Sequence, residues 1–121
     1  KGAYAFKDLL NIYGTVALGT DFPVEKVSPF LTFYAAVARQ DQQQYPEGGF
    51  QMENALSREE TLKGMTIWAA HSNFEENEKG SIEVGKFADF IILDKDIMTA
   101  DINDVPAIQV LETYIDGERL K

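Results

Sequence analysis

Cysteine is absent from the chain. That excludes a disulfide framework and a thiolate metal site, and it leaves the redox compartment open. Histidine occurs once, as His71, so no histidine-rich metal centre can be assembled from these residues alone. Basic residues are few: 11 Lys and Arg stand against 20 Asp and Glu, for a net charge of -9. A balance of that sign argues against nucleic acid, whose phosphates need clustered Lys and Arg. It argues equally against an anionic membrane surface. No apolar run is long enough to span a bilayer. No signal-peptide pattern opens the chain, which begins at Lys1 rather than Met. Residue 1 is therefore expected not to be the start of the translation product. The location stays open, with the cytoplasm the favoured default.

What is present is a soluble, globular composition, 45% hydrophobic and 26% charged over 121 residues. That length is enough for one core. Phe6, Leu9, Leu10 and Tyr13 recur at i, i+3, i+4 and i+7, which predicts a helix over 5–13 closed by Gly14. Val16-Ala17-Leu18 is a continuous apolar run. It reads as a strand covered on both faces, as in a parallel sheet. Asp21 stands where that strand ends, and Phe22-Pro23 turns the chain away. Ser28-Pro29 opens a second helix with Phe30, Phe33, Tyr34 and Val37 on one face. Residues 40–56 lose the periodicity, and a loop of that length is usually functional or mobile. Ser57-Arg58-Glu59-Glu60 is a capping box that starts a helix predicted to run to Ser72, with Gly64 inside it. Asn73 to Lys79 is an acidic connector. From Gly80 the pattern turns to β: strands over Phe87–Leu93 and Ile108–Ile115, an Asp116-Gly117 hairpin of type I′, and a short return over 118–120.

Asp21 is the best functional candidate, because chemistry in α/β proteins gathers at the carboxyl ends of strands. Two readings stand. Asp21 could be a metal ligand and proton shuttle, holding a water acidified by a divalent ion. The other reading, which spacing alone favours, is that it caps a turn or the following segment. His71 falls on an apolar helix and reads as packing or surface. Glu59-Glu60 and Glu75-Glu76 suit a helix first turn and a solvated connector. Asp94, Asp96 and Asp101 do not have the spacing of an EF-hand loop. Gly80 to Gly85 lacks the ending of a phosphate loop. A hydrolytic metal centre needs three or four ligands. Either Asp21 is structural, or its companion ligands lie on residues outside this chain.

The ordered series Leu18-Gly19-Thr20-Asp21-Phe22-Pro23-Val24, Ser28-Pro29-Phe30, Ala35 to Gln40, Leu56 to Leu62, Met65 to Ala70, Gly80 to Asp94 and Asp116-Gly117 resembles amidohydrolase family 3. That branch holds YtcJ-like proteins and N-substituted formamide deformylases. The resemblance covers nearly the whole chain. It implies an α/β fold: the last strand and helices of a (β/α)8 amidohydrolase barrel over 1–79, then the C-terminal strands of a small β-sandwich over 80–121. It further implies that Asp21 matches the strand-eight aspartate, which binds the catalytic metal and handles the proton of the attacking water. The implied cofactor is a divalent metal, zinc first. The implied substrate is a small-molecule amide or cyclic amide, cleaved at C–N. The family's other ligands are missing, and such a barrel needs about 200 residues or more. The resemblance thus makes this chain a C-terminal fragment, inactive alone and prone to self-association through uncovered strand edges. The alternative is a non-catalytic α+β interaction or scaffolding module.

Overall fold

A computed structural model describes residues 2–120. Helix α1 (Phe6–Tyr13) ends at Gly14, whose N–H donates to Leu10 O at 2.8 Å. Leu10 is buried, but Leu9, Ile12 and Tyr13 face solvent. In residues 14–20 burial alternates: Val16, Leu18 and Thr20 are half-buried, Ala17 and Gly19 exposed. This two-residue period is that of an extended segment with one covered face. The expectation of a strand buried on both faces is corrected. Among the described residues the segment joins no sheet, because none of them supplies a parallel neighbour.

Helix α2 (Pro29–Ala38) begins with proline, whose missing N–H costs nothing at that position. Its sequence, PFLTFYAAVA, is apolar almost all round, the signature of a helix packed on more than one side. Phe30 and Phe33 meet Val105 and Ile108 in one cluster, with Leu93, Ile97 and Val110 against it. Ala36 meets Leu10 and Leu56 in a second cluster, with Val16, Leu18 and Trp68 against it.

Helix α3 (Arg58–Met65) carries the expected capping box. Ser57 Oγ accepts from Glu60 N–H at 3.1 Å, and Ser57 N–H donates to Glu60 Oε2 at 2.8 Å. The single helix predicted to reach Ser72 divides at Thr66 (φ -126°, ψ -96°), and α4 (Ile67–Ser72) follows. The Thr66 hydroxyl donates to Leu62 O at 2.7 Å, a back-bond that bends helices. No helix among the described residues is long and apolar enough to cross a membrane.

The tail forms one antiparallel sheet in the order β1 (Phe90–Leu93), β2 (Val110–Ile115), β3 (Glu118–Arg119). Phe90 pairs with Tyr114, and their rings stack at 4.5 Å between centroids. The register shifts between Ile92 and Leu93. Asp116 (φ 49°) and Gly117 (φ 79°) make the two-residue turn from β2 to β3, both with the positive φ that a type I′ turn demands. Between β1 and β2 a 3₁₀ segment (Ile102–Ala107) drives Val105 into α2. The core therefore crosses residue 80 and draws on both stretches of the sequence.

A second tie joins the same two stretches. The Arg58 guanidinium donates to Ile97 O at 2.6 Å and Ala100 O at 2.7 Å. Charged hydrogen bonds of this kind are worth about 1.5–3 kcal/mol each. Arg58→Ala is expected to lower the unfolding free energy by about 2 kcal/mol or more, read as a drop in urea midpoint.

Glu60 also receives the ammonium of Lys7 from α1. That hydrogen bond, then the Ser57 backbone N–H, holds its carboxyl below the usual range against the opposing effect of burial. A folded-state pKa below the unfolded one stabilises the fold above the unfolded pKa. The contribution is lost as pH falls through the folded value. The gap in melting temperature between wild type and Glu60→Gln is expected to be full at neutral pH. It should close as pH drops below about 4.3.

Candidate functional site

Asp21 sits at the end of segment 14–20. Leu18 N–H donates to Gly64 O at 2.9 Å, which fixes the segment on α3. The approach is close because residue 64 has no side chain. A Cβ there would lie 2.9 Å from Leu18 Cγ, Leu18 Cδ1 and Val16 O. Beyond Leu18 the chain leaves the core. Asp21 is exposed, with φ 54°. A left-handed backbone costs about 1–2 kcal/mol in most residues, and aspartate is among the few that tolerate it. Its carbonyl accepts from Val24 N–H at 2.9 Å, and Thr20 Oγ1 accepts from Phe22 N–H at 3.3 Å. These bonds use the backbone and the neighbouring hydroxyl, and among the described residues the Asp21 carboxylate is left to solvent.

No group of three or more His, Asp or Glu among the described residues could hold a metal ion. Asp21 offers one donor where a hydrolytic centre needs three or four, so this chain's residues do not by themselves fit a metal. Several of the other acids have structural duties. Asp94, Asp96 and Asp101 each accept a backbone N–H, from Gln109, Met98 and Asn103. Glu59 pairs with Lys63, and Glu75 with Lys79. His71 Nδ1 lies 3.3 Å from Glu76 Oε1 on the surface.

A groove of about 610 Å³ opens along α2, between residues 18–26 and the loop after Arg39. That loop, expected as irregular, is well tied. Gln40 Nε2 donates to Gln44 O and Pro46 O, and Asp41 Oδ1 accepts from the N–H groups of Gln43 and Tyr45. Lys26 Nζ reaches Gln42 Oε1 at 3.1 Å across the mouth. Tyr34, 3% exposed, donates toward Gln40 Oε1 at 3.3 Å. Burial, then the nearby Asp41 charge, pushes its hydroxyl pKa up.

Arg39 lines the same groove, and sequence reasoning did not single it out as a site residue. It caps α2 with φ 55° and is 7% exposed. Its Nε donates to Phe50 O at 2.9 Å, and its guanidinium carbon lies 5.8 Å and 5.7 Å from the ring centres of Phe6 and Phe50. Its Nη2 is buried with no hydrogen-bond partner among the described residues. An unmet buried donor costs about 1–3 kcal/mol, and two ring contacts offset part of that. The available signal was an arginine directly following a helix with no polar face.

A model of the amidohydrolase family matches residues 1–120. The chain belongs to that family. N-substituted formamide deformylase of Arthrobacter pascens is 32% identical to this amidohydrolase chain over 114 residues, 94% of this chain and 20% of that protein. Protein LONG AFTER FAR-RED 3 of Arabidopsis thaliana is 34% identical over 120 residues, 99% of this chain and 20% of that protein. The chain thus spans about a fifth of the length of the curated relatives it matches. A crystal structure of an amidohydrolase from Thermotoga maritima MSB8 superposes with a TM-score of 0.64 at 24% identity. The match covers 98% of this chain and 26% of that one, and it carries the fold.

Within this amidohydrolase chain, Gly64 is what seats the Asp21 segment. Gly64→Ala gains helix propensity worth about 1 kcal/mol, but overpacking costs about 1–3 kcal/mol. A net loss of stability is expected, with increased amide exchange at Leu18 as the local readout. A stabilised variant would contradict it.

Proposed function

We propose that this chain is the C-terminal portion of a metal-dependent hydrolase that cleaves C–N bonds in small amides or cyclic amides. In this reading residues 1–79 close the parent's barrel and residues 80–121 supply strands of its sandwich. Membership of the amidohydrolase family supports the hydrolase class. The observation that carries the site is Asp21: a strained, exposed carboxylate without a partner among the described residues, on a segment anchored by Leu18 and Gly64. Backbone strain held in place by its surroundings concentrates at functional positions.

The Asp21 carboxylate is this chain's share of the chemistry. It accepts the proton of the attacking water and returns it to the departing nitrogen, work worth about 10²–10⁴-fold. A divalent ion, zinc in this reading, would acidify that water. Asp21 supplies one ligand, and the others belong to residues of the parent outside this chain. Exposed apolar side chains such as Ile82, Val84 and Leu111 then have a covering partner in the parent, or another copy when the chain is alone. The rival reading, a non-catalytic interaction module, rests on the lack of any grouped ligands among the described residues.

Asp21→Asn in the full-length parent separates the two. The hydrolase reading expects kcat to fall by about 10²-fold or more, metal content by elemental analysis to drop, and the melting temperature to hold. Full activity with full metal content would make Asp21 a turn residue.

A further inference from the structure

We propose that the groove beside Arg39 binds a small monocarboxylate with an apolar body. Asp21 itself does not line this groove, although Thr20 before it and Glu25 after it do.

The chain has 20 acidic residues for 11 basic ones, yet among the described residues the most buried cation, Arg39, has no acid. Lys7, Lys63, Lys79, Lys86 and Lys95 each hold a carboxylate, and Arg58 holds two carbonyls. Arg39 is packed between Phe6 and Phe50, spends Nε on Phe50 O, and keeps Nη2 without an acceptor among the described residues. Buried donors are nearly always paired. A guanidinium with free N–H groups in a groove is suited to a carboxylate, which presents two acceptor oxygens in one plane.

The walls define the rest of the ligand. Phe6, Leu18, Leu31 and Phe50 are apolar, and about 610 Å³ falls in the range of small-molecule pockets. Glu25 and Asp41 also line the groove. They repel any anion, and a multiply charged one such as phosphate more strongly than a monocarboxylate. Lys26 at the mouth, bonded only to a neutral amide among the described residues, favours entry of a negative group.

The test uses benzoate and its neutral isostere benzamide, titrated calorimetrically into the whole chain. Saturable one-to-one binding of benzoate is expected, with benzamide at least about tenfold weaker, since a charged hydrogen bond is at stake. Amide shifts should centre on Ala35, Ala36 and Phe50. Arg39→Gln, if folded, should remove the preference for benzoate. If that variant does not fold, the benzoate-to-benzamide ratio and the shift map on the unaltered chain decide alone. Equal binding of the two probes, no binding at millimolar benzoate, or shifts scattered away from α2 would overturn the proposal.

Discussion

Helix α2 has no polar face, and the chain folds around that constraint. A ten-residue segment reading PFLTFYAAVA cannot leave a long side in water at low cost. It is covered from opposite directions by elements far apart in sequence. Val105 and Ile108 of the tail take one flank, and Leu10 and Leu56 take the other. The antiparallel sheet gains its attachment through the same flank, since Leu93 and Val110 lean on that cluster. The face that remains open lines the groove, where Ala35 is exposed and Arg39 ends the helix.

The seat of Asp21 depends on this arrangement at one remove. Leu18 and Val16 pack on the Leu10, Ala36 and Leu56 cluster. Gly64 then admits them to hydrogen-bonding distance of α3. Strain at Asp21 is sustainable because the residues just before it are held on two sides. The loop residues 21–27 have no comparable anchorage in the core and stand exposed.

The acid surplus is handled locally. Most carboxylates with a named duty either accept a nearby backbone N–H or pair with a lysine three or four residues away, as Glu59, Glu75 and Glu83 do. Exposed pairs of this kind contribute little stability. The long-range polar ties are different: Lys7 to Glu60 joins α1 to α3, and Arg58 joins α3 to the segment before the 3₁₀ turn. They fix how elements meet rather than whether each forms.

Much of this was legible from the residues. The capping box at Ser57, the Gly14 cap, proline at the start of α2 and the Asp116-Gly117 turn are local devices, and each works through atoms within a few residues of itself. The family was legible too, from an ordered series of short motifs. Three things were not. Val16 to Leu18 was read as a strand buried on both faces. An apolar run is the same whether its neighbours lie in this chain or elsewhere, and here one face stays open. The helix after Ser57 was read as continuous, because the Thr66 back-bond and the pressing of Gly80 on Ile67 and Ala70 depend on geometry that periodicity does not record. Arg39 was passed over because an arginine at a helix end ordinarily reaches solvent. Only the tertiary structure, by closing Phe6 and Phe50 over it, decided that this cation would be buried with an unmet donor. The sequence by itself determined the local caps and turns at Gly14, Pro29, Ser57 and Asp116-Gly117. Which faces are covered, and which polar groups are left wanting a partner, was decided by packing between residues tens of positions apart.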